Sequence, residues 1–587
     1  MISPPTIRVL FYILNTNLPI SSVTIEPVTT VVELAALIRD NTNFYPPGTS
    51  AIYKPPADWI YFDEQELEMQ ARPLLHGFKK LQAARTVQSY FGDTPGPYFV
   101  IVENCAPPPT RREDAILAGR ERPLNSAGMR LATIIETQKI TRPDAIFNCR
   151  PFSLRQPRIE IWCSAFAELK RILSLSPAEV NFTPVELDEA FGFMVASLDL
   201  YKLEVRRQFA LRNQTFAGIN MFMGGKIPVG DGYIEPDGCI FTSCHLKVPA
   251  VSCIQELKNE IGEDGSDPMR QAECDYVALC SSKEYKAVSD RCCCPALLIS
   301  MAGSHLMISG AVFTDAFICE PLVNMFVGPI TTATNPTQSD LHTGIRQVAL
   351  VSRAVSVCIA KLADFYVSLP AKSISGSPGL MCTPCTPHFK KFPFAGGSIE
   401  LEYIERLETY DTPKSVFKAR LKDTSSTSVV VKFTPTYNKQ AHELLGEAML
   451  APKLWFCERV PEVGGLYVVV MEYVKVDPTH ALANDLNPAA IKSLRNTVHL
   501  LHNANLVHGD VRDPNVLVTQ DGAMLIDFDW CGEEGRARYP YDISLDGISW
   551  HKGVVPGGEI KKEHDMFMLS NLTGDELYVG HGEASDT

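Results

Sequence analysis

In the first hundred residues the apolar positions fall into short blocks. Residues 7–15 and 23–28 read as two strands, and Thr30 then caps a helix through Val31, Val32, Glu33 and Leu34 toward Arg39. Further apolar segments lie at 51–53, at Trp59, Ile60, Tyr61 and Phe62, and at 98–102. That order predicts a small sheet wrapped on one helix. Pro107, Pro108 and Pro109, in series before Arg111 and Arg112, end it, because prolines forbid helix and remove ladder donors. From 133 to 370 the pattern is mixed α/β, with its longest helical period at 185–213, then short strands, then a helix after Asp267 and Pro268. Residues 371–397 are rich in Ser, Gly, Pro and Thr, which favours loop. Strand-like runs at 401–405, 416–421 and 429–433 follow, and the chain turns helical after Asn438. The expected organisation is a multidomain α+β protein with domains over 1–108, 133–370 and 398–587, joined by linkers over 109–132 and 371–397.

Composition narrows the options. The 587 residues carry 54 Lys and Arg against 68 Asp and Glu, a formal net charge of −14. This excludes a broadly basic surface that would coat nucleic acid, so any DNA contact must be local or metal-assisted. Seventeen cysteines are scattered and include the run Cys292, Cys293 and Cys294, which reads as reduced thiols rather than a disulfide framework. The opening segment is apolar but lacks a charged start and a small-residue cleavage site, and Pro4, Pro5, Asn15 and Asn17 interrupt it, so no secretory signal is evident. No uncharged apolar run reaches about 18 residues, and no membrane span is expected.

The sharpest chemical signal is His508-Gly509-Asp510-Val511-Arg512-Asp513-Pro514-Asn515, followed by an apolar run and then Asp527-Phe528-Asp529. It resembles the catalytic loop and metal-binding turn of protein kinases. Phosphoryl transfer needs a carboxylate to orient the attacking hydroxyl and hard oxygens from separate segments to hold Mg2+ against the nucleotide. Asp510 fits the first role, Asn515 and Asp527 the second, and Arg512 stands where the family has a lysine. Upstream, Lys432 ends the run Val429-Val430-Val431 as the cation expected to grip the ATP phosphates. Glu443 is the expected ion-pair partner for it, with Glu447 one turn later as competitor. Glu472 and Tyr473 end a hinge-like run whose backbone would pair with adenine. Residues 407–413 hold the place of the glycine-rich loop without a glycine, Asp529 replaces a glycine and Gly509 an arginine. Asp565 stands where the family braces its catalytic loop, and the C-terminal lobe is short for the family. The overall pattern looks most like compact kinase-like domains of fungal proteins.

A second constellation lies in the middle region. Pro236-Asp237-Gly238 precedes a strand, and Glu256-Leu257-Lys258 follows on the next. The pair resembles the PD-(D/E)XK motif of restriction-endonuclease-like folds, in which Asp237 and Glu256 would hold a divalent cation and Lys258, on the same strand face as Glu256, would stabilise developing charge. Gln271 would add a supporting amide and Glu204 a further acid, with Arg206, Arg207 and Arg212 as the basic wall of a DNA cleft. Cys382, Cys385 and His388 have metal-like spacing, with no fourth ligand nearby.

The N-terminal segments Leu34-Ala35-Ala36-Leu37-Ile38, Ala57-Asp58-Trp59-Ile60-Tyr61, Val87-Gln88-Ser89-Tyr90-Phe91 and Tyr98-Phe99-Val100-Ile101-Val102 resemble the ubiquitin-like header of Crinkler proteins. The motif that usually ends the oomycete header is absent. The resemblance implies a β-grasp roll, then a nuclease-like module, then a bilobal kinase-like module. It also implies secretion by a route without a conventional signal peptide and delivery into a host cell, with its nucleus as one destination; otherwise the protein is intracellular. The leading expectation is an effector-like phosphotransferase using ATP and Mg2+ on an unidentified hydroxyl acceptor, a protein Ser/Thr or another, with host proteins as partners. The alternatives are a Mg2+-dependent nuclease acting on host DNA with a regulatory kinase-like domain, and a scaffold that has lost both chemistries.

Overall fold

A computed structural model describes residues 111–574 except 125–127, 129, 156, 263–266, 331–339, 372–379, 408–413, 423–425 and 477–485. Before residue 111 it describes 7–14, 21–25, 29, 33–34, 37–38, 52–54, 79–80 and 98–103. The apolar run expected at 59–62 and the glycine-free loop at 408–413 lie outside the described residues. The chain divides into two compact units, Met1–Thr110 and Arg111–Thr587.

The first unit is a five-stranded sheet of β1 (Ile7–Leu14), β2 (Ser21–Ile25), β3 (Ile52–Lys54), β4 (Lys79–Lys80) and β5 (Tyr98–Glu103), in the order β2-β1-β5-β3-β4. β1 pairs antiparallel with β2 and parallel with β5. Parallel neighbours cannot be joined by a hairpin, so β1 and β5 enclose the intervening chain. Leu34 and Ile38, four apart and therefore on one helical face, are buried with Val9, Ile52 and Val100, while Glu33 and Leu37 are exposed.

Among its described residues the second unit contains two six-stranded sheets, besides smaller two-stranded pairs. The first joins β6 (Ile146–Phe147), β7 (Gly238–Thr242), β8 (Ala250–Lys258), β9 (Ala296–Ala302), β10 (His305–Phe313) and β11 (Phe317–Phe326), in the order β7-β8-β9-β10-β11-β6. β8 and β9 run parallel, connected through a helix, and the pairs on either side of them are antiparallel. Every residue of β9 is buried because both faces of the sheet are covered. Leu297, Ile299 and Met301 face a core shared with α1 (Ser164–Leu173), α2 (Pro184–Leu198), α3 (Glu204–Arg212) and a long helix at Asp340–Val367, while Ala296 and Leu298 face a second core with the helix Pro268–Ser281.

The single helix expected over 185–213 is two. α2 starts on a capping box between Thr183 and Glu186 and stops at Asp199, whose backbone is extended. Arg207, 1% exposed, then donates to the carbonyls of Ser197 and Asp199, filling the acceptors left at the end of α2 and turning α3 back.

The second sheet is antiparallel, formed by β12 (Lys391–Phe394), β13 (Gly397–Arg406), β14 (Ser415–Leu421), β15 (Ser428–Thr434), β16 (Leu454–Val460) and β17 (Leu466–Glu472), in the order β12-β13-β14-β15-β17-β16. α4 (Lys439–Glu447), α5 (Pro488–Asn503), the hairpin of β18 (Val516–Thr519) and β19 (Gly522–Leu525), and α6 (Lys562–Thr573) complete the C-terminal region.

Within the segment 371–397, expected as linker, Pro384, Cys385, Pro387 and Phe392 are buried, while 393–397 are exposed. Trp162 Nε1 donates to the Cys385 carbonyl at 2.9 Å, and Phe392 is 1% exposed in the core. That core is continuous from the first sheet through Ile161 and Trp162 to Leu401, Tyr403, Val429, Val431, Phe433 and Val463 of the C-terminal region. The short turn Pro461–Val463 seats on α1. His388 Nε2 lies 2.9 Å from the Glu160 carbonyl, so it is committed to this junction rather than to the Cys382–Cys385 pair. Among the described residues every cysteine is free, and no helix is long and apolar enough to cross a membrane.

Candidate active site

The alternation of β15 decides where its one cation goes. Val429, Val431 and Phe433 face the shared core, which leaves Lys432 on the other face, beneath the sheet and 5% exposed. Its ammonium meets Asp527 Oδ1 in a short ion pair and Asp529 Oδ1 at 2.7 Å. Lys414 Nζ holds the second oxygen of Asp527 at 2.9 Å. Burial opposes ionisation of Asp527, but the two ammonium groups outweigh it and hold its carboxyl well below the usual carboxylate range. Asp529 is pushed upward, first by burial and then by Asp527, with Lys432 opposing. Burial alone would lower the proton affinity of Lys432; Asp529 and Asp527 reverse that and keep it charged.

Asp527 has φ +70, a left-handed conformation uncommon outside glycine, and it is held there by its neighbours. Phe528, fully buried, stacks on His442 at 4.9 Å between ring centroids and meets His508 edge-on at 5.5 Å. The Phe528 carbonyl accepts from Asn438 N at 3.0 Å.

Glu443 is not brought to Lys432. It is exposed and faces Lys439 at 3.9 Å, and Glu447 is exposed as well. The buried face of α4 presents His442 instead, which binds the Tyr437 hydroxyl and the Pro452 carbonyl. Burial, and then the Lys432 charge, lower its pKa to about 4, so it is neutral packing against Phe528. Asp529 supplies the anion that α4 does not. Its second oxygen accepts from Thr434 Oγ1 at 3.0 Å. The sequence signal was an aspartate standing where the family has glycine.

The catalytic-loop residues converge as expected. Arg512 forks both oxygens of Asp510, Nη2 to Oδ2 at 2.9 Å, and Asn515 Nδ2 donates to Asp510 Oδ2 at 2.7 Å. With its Nδ2 so engaged, Asn515 has its amide oxygen to offer a cation. Asp565, fully buried at the start of α6, accepts from His508 N at 2.8 Å and Gly509 N at 2.7 Å, and its Oδ2 lies 3.1 Å from His502 Nε2. Gly509 has φ +80, and a Cβ there would come within 2.8 Å of Ile560 Cδ1, which accounts for glycine in place of arginine. Removing the brace strands two buried N–H groups. Asp565→Ala is therefore expected to destabilise the C-terminal region by about 3 kcal/mol, read as a lower urea midpoint of the full chain.

At the hinge, Tyr473 N is bonded to the Ser428 carbonyl at 3.1 Å and Glu472 N to the Lys453 carbonyl at 2.9 Å. Contact with a base by these two residues therefore falls to their carbonyls. Asn515, Asp527 and Asp529 present the hard-oxygen donors that Mg2+ prefers. Lys414 is 45% exposed at its side chain and Lys432 only 6%, so a cation held by Asp527 would take the place of Lys414 rather than of Lys432. The donor set fits the metal. The cleft, about 530 Å³, is bounded on one side by Lys414, Lys432, Thr434 and Asp529 and on the other by Arg155, Arg158 and Glu320 of the middle region. Arg155 reaches Asp542 across it at 2.7 Å.

In the middle region, Asp237 Oδ2 accepts from Leu257 N at 2.8 Å, and Lys258 Nζ pairs with Glu204 at 3.2 Å. Glu256 is fully buried, with its carboxyl in hydrogen-bonding reach of the Asp275 and Asp237 carboxyls. Burial, and then Asp275 and Asp237, push its pKa well up. Asp275, one turn beyond the expected Gln271, is itself pushed to about 7, chiefly by burial. It is the acid that sequence reasoning missed. Three clustered carboxyls that share protons between them offer the oxygen donors that suit a hard cation. The expected basic wall is not assembled: Arg207 is locked on backbone carbonyls, and Arg212 donates to the Phe222 carbonyl.

Residues 457–531, from β16 through the turn at Asp527, match the RIO domain, a domain of the atypical protein kinases. The C-terminal region is therefore kinase-like, of an ATP-binding phosphotransferase type. No curated protein matches the chain.

Proposed function

We propose that the chain is a Crinkler-type multidomain protein whose C-terminal region transfers the terminal phosphoryl group of ATP to a hydroxyl, with Mg2+ as cofactor. The observation that carries this reading is the convergence of Lys432, Asp527 and Asp529 opposite Asp510 and Asn515, braced by Asp565. ATP supplies the phosphoryl group and Mg2+ neutralises its charge. Lys432 grips the phosphates, while Asn515 and Asp527 hold the metal. Asp510, its rotamer fixed by Arg512 and Asn515, orients the acceptor hydroxyl and takes its proton. The β2-β1-β5-β3-β4 order of the first unit supports the ubiquitin-like header, and delivery to a host cell belongs to the same reading. Full-length protein is expected to bind ATP with Mg2+, and Lys432→Met to weaken that binding by about tenfold or more. Undiminished binding in an isothermal titration would overturn the assigned pocket.

A second reading rests on the cluster of buried Glu256 and Asp275 with Asp237, beside Lys258. That arrangement supports metal-dependent cleavage of DNA by the middle region, with the kinase-like region as a nucleotide sensor. Plasmid nicking abolished by Lys258→Ala would favour it, and nicking that survives would remove it. Absence of both activities would leave the scaffold reading.

A further inference from the structure

Cys382 and Cys385 take no part in the cleft or in the carboxylate cluster. They flank a 3-10 turn, Thr383–Cys385, and residues three apart in such a turn lie one over the other. Their sulfurs are accordingly in hydrogen-bond contact at 3.0 Å. The backbone on both sides is pinned. Met381 N donates to the Tyr403 carbonyl and His388 N to the Ile161 carbonyl, each at 3.0 Å. Thr386 Oγ1 donates to the Cys382 carbonyl at 3.0 Å, and Trp162 Nε1 to the Cys385 carbonyl at 2.9 Å. Pro384, buried inside the turn, adds a fixed φ. The two sulfurs are thus held against each other by a backbone already in place, and a bond between them needs only a small side-chain movement.

The two thiols are not equivalent. Cys382 is exposed and Cys385 buried. The bond to Cys385, and then the Arg112 charge, outweigh burial and lower the Cys382 thiol to about 7. The same bond, and then burial, push Cys385 well up. An accessible thiolate backed by a buried thiol is the arrangement of an attacking and a resolving cysteine. His388, the third member of the metal-like spacing, spends its Nε2 on the Glu160 carbonyl at 2.9 Å. Two sulfurs alone do not complete the four-ligand shell of a structural zinc ion.

We propose that Cys382 and Cys385 form a redox-active dithiol that exchanges with small disulfides of the glutathione class. Cys382 gives its proton to solvent, and its sulfur attacks one sulfur of the external disulfide. The S–S bond breaks, and the departing thiolate takes a proton from solvent. Cys385 then attacks Cys382 Sγ, and its proton passes to the second departing sulfur. Two electrons have moved from the protein to the external disulfide, which becomes two thiols, while the protein gains one internal disulfide. The turn is tied to Trp162 on one side and Tyr403 on the other, so the bond closes at the junction of the middle and C-terminal regions.

Full-length protein equilibrated in glutathione redox buffers, with its thiols mapped by differential alkylation and peptide mass, tests this. The expected result is loss of the Cys382 and Cys385 thiols together, as an internal disulfide that dithiothreitol reopens. Cys385→Ser should instead trap glutathione on Cys382. Cys382→Ser, at an exposed position, should leave Cys385 a free thiol. The pH of half-maximal Cys382 alkylation should be about 7 in the parent and rise by about one unit or more in Cys385→Ser. A parent whose Cys382 stays alkylatable across the buffers, or carries glutathione as the Cys385 variant does, would overturn the proposal. So would a stoichiometric zinc ion in the purified parent that is lost in Cys382→Ser.

Discussion

Asp527→Asn is expected to lower ATP-dependent phosphoryl transfer by about a thousandfold while leaving the protein folded. The size follows from removing a charged group aimed at the phosphates in a site that excludes water. The retained fold follows from the geometry. Asparagine keeps the shape of the turn and tolerates its left-handed backbone, and Lys432 keeps Asp529 at 2.7 Å as counter-ion. Lys414, largely exposed, returns to solvent. Stability should change mainly with pH. The Asp527 carboxyl is held below its unfolded value, so its contribution is present above about pH 4 and disappears only as pH falls through the depressed folded value. The variant should lack that contribution at neutral pH and converge on the parent in strong acid. Paired turnover assays and urea titrations check this. A variant that transfers phosphate at the parental rate would show that Asp527 is not a metal ligand of the reaction.

The second large effect concerns the buried acids of the middle region, and its sign is opposite. Asp275 has its pKa raised to about 7, and Glu256 is raised as well. The folded state therefore holds protons that the unfolded chain has already released. Stability from these groups is full below their ordinary values and falls as pH rises from about 4 to 7, at up to about 1.4 kcal/mol per pH unit for each proton. Mg2+ should restore it at pH 8, since binding to the folded state alone stabilises by mass action. Glu256→Gln should make the metal-free protein more stable at pH 8 by about 1–3 kcal/mol and remove the response to Mg2+. Melting curves across pH with and without the metal give the answer. A parent indifferent to Mg2+ at pH 8 would mean that the cluster is a packing feature and not a cation site.

Much of the C-terminal site could be read in advance because its residues lie close together along the chain. Asp510, Arg512 and Asn515 fall within six consecutive positions, and Asp565 was placed by the resemblance of the segment leading into its helix to the family's pattern. Lys432 was legible because the side-chain period of a strand is two and three valines precede it. Glu443 failed for the complementary reason. A helix of nine residues can turn either of two neighbouring positions inward, and the buried stacking partner of Phe528 proved to be His442. Choosing between them requires knowing that Asp529 already neutralises Lys432, a contact spanning almost a hundred residues. Asp275 escaped because its helix is buried on nearly all sides, so no polar stripe singles it out. The break after Asp199 was hidden because the apolar period continues through it, and only Arg207 reveals that the chain turns. The burial of Pro384, Cys385 and Phe392 was invisible for a related reason: Ser, Thr and Pro favour loops but do not say whether a loop is covered.

The core that runs from α1 through Val463 to β15 bears on how the chain can change. Exchange of parts between proteins succeeds most easily where a part folds alone. Here an exchange cut within 371–397 would separate Ile161 and Trp162 from Leu401, Tyr403 and Phe433, leaving an apolar face on each fragment. The two regions are thus one heritable block, and substitutions at their junction should be accepted only as matched pairs.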